Sequence, residues 1–408
     1  MAETFVVHYS EVALKGKNRP QFSRALRRNM ARAVGSESSI SERDGRIILS
    51  AACSPEEAAS RLMKVFGIAW FARASVVKQD YAAIRDEVLD AAGKGAGTFR
   101  ISARRNDKSF PLDSMEMERR LGADVVLKTG RKVSLSHPAE TLHVDVVSKG
   151  ALVYSDKTRG PGGLPVGTSG RVLHLFSGGI DSPPAAWLLM KRGCVPVYLH
   201  FYLSPTPDYP LKSKVFRLIK LLSAYSGKST IALVPFAEYQ IATAGVPGDL
   251  EPSLFRRFMR TTAEILAPKL GAVALSTGDC LSQAASQTLW NLAVFDDGSS
   301  MPVLRPLLTF DKEEVIRLAR GIGTYDLSVE EYRDCCAIVT RHPRTRAKAE
   351  LIKRYSQRLD FGELAAASIE KGTLATYNPA TGEVRTSRLG DLRAPRARQG
   401  LDNPETRL

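Results

Sequence analysis

Two hydrophobic periods alternate along this chain. Near the amino terminus TFVVHY reads as a strand and PQFSRALRRNMARAV as a helix opened by Pro20. SISERD and RIILSA read as short strands about a turn at Asp44-Gly45. SPEEAASRLMKVFG begins with a Ser54 cap and an acidic first turn, predicting a helix that ends at Gly67, and WFARASVV returns as a strand. The order β-α-β-β-α-β predicts a ferredoxin-like α+β domain over 1–78. A second α/β module over 79–158 follows from helical DYAAIRDEVLDAAG and SMEMERRLGADVVLK and strand-like TFRISARR, ETLHVDVV and ALVYSD.

Residues 159–170, RGPGGLPVGTSG, have no period and are crowded with Gly and Pro, which predicts a linker. Beyond it the strands become almost continuously apolar: RVLHLF, CVPVYLHF, STIALVPF and AVALSTG. They alternate with helices in PPAAWLLMKR, LKSKVFRLIKLLSAYS and PSLFRRFMRTTAEILAPKLG. Apolar strands separated by helices predict a parallel sheet covered on both faces, here over 171–365, whose ligands sit at the carboxyl ends of the strands. Residues 366–408 read as a basic tail.

Length and charge refine this picture. With 408 residues, the chain exceeds what one core usually serves. Its 44% hydrophobic and 25% charged residues are those of a folded globular protein. Lys and Arg number 58 against 43 Asp and Glu, a net +15 spread over Lys15 to Arg32, Arg100 to Lys108 and the residues after Arg385, which points to a polyanionic partner. Lys15, Lys17, Arg19, Arg104, Arg105 and Lys108 are the candidate RNA contacts. MAETFVVHYSEV has no basic leader before an apolar run, and no long uncharged apolar stretch occurs, so a cytoplasmic protein without a membrane partner is expected. Five cysteines without framework spacing predict reduced thiols.

The chemistry concentrates after the first apolar strand of the third block. Ser177-Gly178-Gly179 leads directly into a helix, so loop N–H groups can form an anion-binding concavity. No GK[ST] and no GxGxxG follows; SGGIDS is instead the pyrophosphatase-type loop, with Asp181 available for magnesium and Ser182 for a phosphate oxygen. TGDCLSQAASQT again follows an apolar strand. Asp311 and Glu314 form a cap pair that puts Lys312 in a first helical turn. In EEYRDCCAIVTRHP, Cys335 and Cys336 lie beside Arg333, Arg341 and His342, and positive neighbours favour a thiolate.

YSEVALKGKNRPQF, FRISARRNDKSFPLDSMEMERRLG, GGLPVGTSG, SGGIDSP, RRFMR, TGDCLSQAASQTLWNL, VLRPLLTFDKEEVI and DCCAI together resemble the tRNA 4-thiouridine synthetases (tRNA sulfurtransferases) from Tyr9 to about Pro343. The resemblance implies a ferredoxin-like domain, a THUMP domain and a PP-loop pyrophosphatase domain. It further implies that ATP and magnesium adenylate O4 of uridine 8 in tRNA, and that a cysteine persulfide then displaces AMP to give 4-thiouridine. Leu175, Phe176, Ser177, Gly178, Gly179, Asp181, Ser182, His200, Phe201, Arg256, Gly278 and Gln287 match nucleotide-contact positions. Asp181 and Lys312 match the catalytic acid and lysine, and Cys336 the sulfur-handling residue. Some members carry a rhodanese domain with a further cysteine; here no cysteine follows Cys336, so a cysteine desulfurase is the expected donor, with Cys335 or Cys280 as resolving thiols and a thiamine role in doubt. Two alternatives stand beside this reading: Cys280, Cys335 and Cys336 as ligands of a [4Fe-4S] cluster, and a tRNA-binding PP-loop ATPase with another product. A homodimer also follows from the resemblance.

Overall fold

The computed structural model describes residues 3–204, 206–332, 335 and 344–393. The chain divides into two compact units, Met1–Pro165 and Val166–Leu408.

The first unit holds two sheets. Strands β1 (Glu3–Tyr9), β2 (Ser39–Arg43), β3 (Arg46–Ala51), β4 (Ile68–Arg73) and β9 (Thr158–Arg159) form one in the order β2-β3-β1-β4-β9. Helices α1 (Arg19–Val34) and α2 (Pro55–Leu62) contribute Leu26, Met30, Ala58 and Leu62 to the core against Phe5, Val7, Ile47 and Leu49. The turn between β2 and β3 has Asp44 and Gly45 at φ +46° and +77°, the left-handed pair that a two-residue hairpin requires. Ser54 Oγ accepts from Glu57 N–H at 3.2 Å, but α2 ends at Leu62 and the chain reaches Gly67 (φ +101°) through tight turns. The expected strand WFARASVV is two strands: at Ala74 the chain leaves β4 and enters β5 (Ser75–Val77) of the other sheet.

That other sheet has the order β5-β8-β7-β6, with β6 (Phe99–Arg105), β7 (Glu140–Val147) and β8 (Gly150–Tyr154). Helices α3 (Tyr81–Lys94) and α4 (Ser114–Thr129) cover the face bearing Phe99, Ile101, Leu142, Val144 and Val153. Part of the opposite face packs on the first sheet through Val6, Ile48, Ala72, Val147 and Leu152. The boundary between the two units falls within residues 159–170, and each end of this stretch is hydrogen-bonded to its own unit. Gly67 N–H donates to Gly162 O at 2.8 Å, and Gly167 N–H to Gly193 O at 2.8 Å. A Cβ at Gly160 would lie 2.5 Å from Ile68 O, so glycine is needed for that approach.

In the second unit β10 (Arg171–Leu175), β11 (Val195–Tyr202), β12 (Ser229–Pro235), β13 (Ala274–Ser276), β14 (Val303–Leu304), β15 (Thr373–Tyr377) and β16 (Val384–Arg388) form one sheet, ordered β14-β13-β10-β11-β12-β15-β16. The helices are α5 (Ser182–Lys191), α6 (Asp208–Lys212), α7 (Lys214–Ser226), α8 (Ala237–Ala242), α9 (Glu251–Lys269), α10 (Leu289–Asp296), α11 (Lys312–Gly321), α12 (Tyr325–Ser328), α13 (Ala349–Arg358) and α14 (Phe361–Glu370). Strands β10 to β14 pair in parallel, whereas β15 and β16 add antiparallel. The basic-tail reading of 366–408 is therefore corrected for 366–393. These residues finish α14 and extend the sheet, and Ile369 and Leu389 are buried in the main core with Phe258, Leu266 and Phe361. The strand signal is weak because β16 is exposed along its length, leaving no apolar alternation to read.

Candidate active site

The parallel order puts the carboxyl ends of β10, β11 and β13 side by side, with a turn after each. Strand β10 stops at Leu175, Phe176 N–H donates to Leu199 O at 2.8 Å, and the chain turns at Ser177-Gly178-Gly179. Gly178 has φ +79°, and a Cβ there would meet Val215 Cγ2 at 2.8 Å, so both backbone and space require glycine. Pro183 and Pro184 occupy the first turn of α5 and remove two donors that a helix start usually offers. Anion binding therefore falls chiefly to the loop N–H groups and Ser182.

Leu175, Phe176, Ser177, Asp181, Ser182, His200, Phe201, Arg256, Gly278 and Gln287 line one cavity of about 360 Å³. Gly178 and Gly179 lie in the turn beside it, and Gly179 N–H donates to Ser177 Oγ at 3.2 Å. Gly278 comes so close to the loop that a Cβ would sit 3.0 Å from Ser182 N. Lys312 Nζ reaches Asp181 Oδ1 at 3.0 Å, across 131 positions of sequence. The full capping box of Asp311 and Glu314 fixes the start of α11 and so aims that lysine. Ser182 Oγ and Gln287 Oε1 are buried without a hydrogen-bond partner among the described residues, which leaves a donor and an acceptor for a ligand.

Part of the cavity wall is a charge network that the sequence did not reveal. Arg256 donates to both oxygens of buried Asp279, at 2.9 and 2.7 Å, and Thr277 Oγ1 donates to the same carboxylate at 2.7 Å. Arg305 donates at 3.4 Å to Asp279 and, through two nitrogens, to Asp296. Both guanidinium groups lie against Phe295, at 4.8 and 5.5 Å from its centre. Burial pushes the Asp279 carboxyl up, but Arg256, Thr277 and Arg305 outweigh it and hold it below its ordinary value.

Two buried histidines support the loop from below. His174 Nε2 lies 3.0 Å from Ser182 O, and His200 has Nδ1 at 2.8 Å from Phe176 O and Nε2 at 2.9 Å from Tyr332 OH. A carbonyl only accepts, so these contacts put the protons on His174 Nε2 and His200 Nδ1, and His200 Nε2 accepts from Tyr332. Burial lowers both rings to about 4, against the acceptor carbonyls, so both are neutral near pH 7.

The thiols are less uniform than expected. Cys336 lies outside the described residues, as do Arg333, Arg341 and His342. Cys335 is buried in the main core. Cys280 packs with Ala185, Leu307 and Val315, and burial with the Asp181 charge pushes its thiol up to about 11. No group of three His, Cys, Asp or Glu suited to a metal occurs among the described residues. Of the basic candidates in the first unit, Lys17, Arg104 and Lys108 are exposed. Lys15 lies 5.0 Å over Phe22 and Arg19 5.0 Å over Tyr9, while Arg105 donates to Phe110 O at 3.2 Å.

A serine-glycine turn between a parallel strand and its helix, opening on a cavity with an unpartnered donor and acceptor, defines a nucleotide-binding α/β domain of the pyrophosphatase-loop class. Comparison with known proteins narrows the class. Residues 167–361 match the family Thiamine biosynthesis protein (ThiI), 4–72 the ThiI ferredoxin-like domain and 78–156 the THUMP domain. A protein of Moorella thermoacetica named "Probable tRNA sulfurtransferase" is 38% identical over 93% of this chain and 99% of its own length. One of that name from Thermus thermophilus is 39% identical over 90% of this chain and 92% of its own. A crystal structure described as a 4-thiouridine synthetase - RNA complex with bound ATP superposes with a TM-score of 0.84 at 31% identity, covering 92% of this chain and all of that one. The chain belongs to the ThiI family. Among the described residues no helix is long and apolar enough to cross a membrane.

Proposed function

We propose that this protein is an ATP-dependent tRNA sulfurtransferase, which adenylates O4 of uridine 8 in tRNA and replaces that oxygen with sulfur to give 4-thiouridine. The meeting of Asp181 and Lys312 at the cavity that gathers the expected nucleotide contacts carries this reading. The likeness to a 4-thiouridine synthetase holding RNA and ATP supports it.

ATP enters with its phosphates on the Ser177–Ser182 loop and its base toward Phe201 and Gln287. Ser182 Oγ–H donates to a phosphate oxygen, and Gln287 Oε1 accepts from the adenine amino group. Uridine O4 attacks the α phosphorus, the bond from that phosphorus to the bridging oxygen breaks, and pyrophosphate leaves. Lys312 turns from Asp181 to the phosphates as charge builds there. One carboxylate, Asp181, fits a magnesium ion carried largely by phosphate oxygens. When bound, magnesium supplies neutralisation of the departing pyrophosphate. The adenylated oxygen then departs as AMP when the terminal sulfur of a Cys336 persulfide attacks C4, and cleavage of the S–S bond by a thiol leaves sulfur on the base.

Of the three cysteines in the [4Fe-4S] alternative, only Cys280 and Cys335 are described, and they lie in two different apolar clusters, which favours the persulfide reading. Cytoplasmic location, a cysteine desulfurase as donor and a second copy of the chain as partner complete the proposal.

Incubation with tRNA, magnesium and labelled ATP should yield AMP and pyrophosphate together with the near-ultraviolet absorbance of thiolated tRNA. ADP as the product would overturn the reading. Cys336→Ala should still form AMP but give no thiolated tRNA, and retained thiolation would remove the sulfur-handling role.

A further inference from the structure

Beyond the carboxyl end of β11 the chain carries a ring pair that the nucleotide cavity does not use. Tyr209 of α6 and Tyr332 stack at 5.7 Å and 9°, and neither lines the cavity. Tyr332 OH donates to His200 Nε2 at 2.9 Å, and His200, on β11, does line it. The pair therefore adjoins the nucleotide site through one hydrogen bond.

Further contacts fix residues 328–332 in that place. Lys214 Nζ donates to Ser328 O at 2.7 Å and to Glu330 O at 2.6 Å, and Arg217 donates to the Glu330 carboxylate at 2.7 Å. Lys214 itself lies beside the phosphate loop, since a Cβ at Gly178 would stand 3.9 Å from its Cε. Four positions after Tyr332 the sequence reaches Cys336. Tyr332 is thus bonded to a residue of the nucleotide cavity and precedes the sulfur-handling cysteine along the chain.

A ring pair that served only to brace α6 would bury its outer member. Here Tyr332 is partly buried while Tyr209 stays 49% exposed, at the edge of a parallel sheet where ligands bind. The reaction calls for such a surface. A base in folded RNA is stacked among its neighbours, and an enzyme that acts on it must draw it out. O4 lies on the edge of uracil, so the base has to be held by its faces with that edge left open. Stacking on an aromatic ring does this.

We infer that Tyr209, backed by Tyr332, is the stacking seat for the uracil drawn out of the RNA. The inference rests on the sulfurtransferase reading and adds to it the surface that positions the target base for adenylation. Stacking on Tyr209 offsets the stacking lost in the RNA. The pair therefore sets the fraction of bound RNA whose base is presented, whereas overall affinity is dominated by phosphate contacts.

The test follows AMP formation by the full chain with a tRNA transcript, beside ATP affinity without RNA and RNA affinity without ATP. In Tyr209→Ala, AMP formation at saturating tRNA should fall about 10- to 100-fold, the range covered by loss of one base–aromatic stack. Both affinities should match those of the unsubstituted protein, and so should the melting temperature, because Tyr209 lies at the surface. Tyr209→Leu keeps an apolar contact but no stacking face and should fail as Ala does, whereas Tyr209→Phe and Tyr209→Trp should restore turnover. Normal turnover in Tyr209→Ala would overturn the seat, as would a loss that Phe and Trp do not restore or that accompanies weakened ATP binding. Those results leave the sulfurtransferase reading intact, while absence of AMP from the unsubstituted protein would overturn both.

Discussion

Lys312 and Asp279 illustrate two uses of charge in one cavity. The Lys312 side chain is 42% exposed and its Asp181 partner 22%, so the pair contributes about 0–1 kcal/mol to stability. Lys312→Ala should therefore leave chemical denaturation almost unchanged and lower tRNA-dependent AMP formation by about 10²–10³, the usual cost of losing one group that stabilises developing charge. Asp279 is buried and neutralises Arg256 directly and Arg305 in part. Asp279→Ala strands those guanidinium groups, and urea unfolding should show a loss of about 3–5 kcal/mol. Histidine brings a third behaviour. The folded values of His174 and His200, about 4, lie below the ordinary 6.5, so between those values the unfolded chain binds more protons. Stability should be fully present above about pH 6.5 and fall as pH drops toward 4, by up to about 1.4 kcal/mol per pH unit for each ring. Unfolding curves at neutral and mildly acidic pH check the sign.

Whole elements were legible in the sequence where a short-range pattern dictates them. The Asp44-Gly45 hairpin, the Ser54 cap, the Asp311–Glu314 box and the Ser177–Ser182 turn each need only a few neighbouring residues to be recognised. Elements whose identity depends on a distant partner were not. WFARASVV reads as one strand because nothing local marks Ala74 as the point where pairing passes from β1 to β8. Arg256 and Asp279 meet only because α9 and the turn after β13 converge. Strands β15 and β16 lie at the sheet margin with polar residues outward, so composition alone resembled a tail. Ending the chain at Ala365 should remove Ile369, Leu389 and the antiparallel cover of β12. Such a truncation should be insoluble or melt well below the full chain, and wild-type melting would contradict the buried role of those residues.

At the scale of the molecule, the two units divide labour by chemistry. The first carries cations and rings on sheet faces, and the second carries a parallel sheet with a phosphate loop. The excess of 15 positive charges sets how strongly salt competes with RNA, so binding should weaken steeply as ionic strength rises, with roughly −0.7 to −0.9 in log-log slope for each phosphate engaged. The contact between Asp181 and Lys312 sets the resting state of the cavity. While the two hold each other, the Lys312 ammonium is occupied by an internal counter-ion. On the proposed reading, entry of a metal–nucleotide complex exchanges partners at both ends of that bridge, so one anion–cation pair is traded for two.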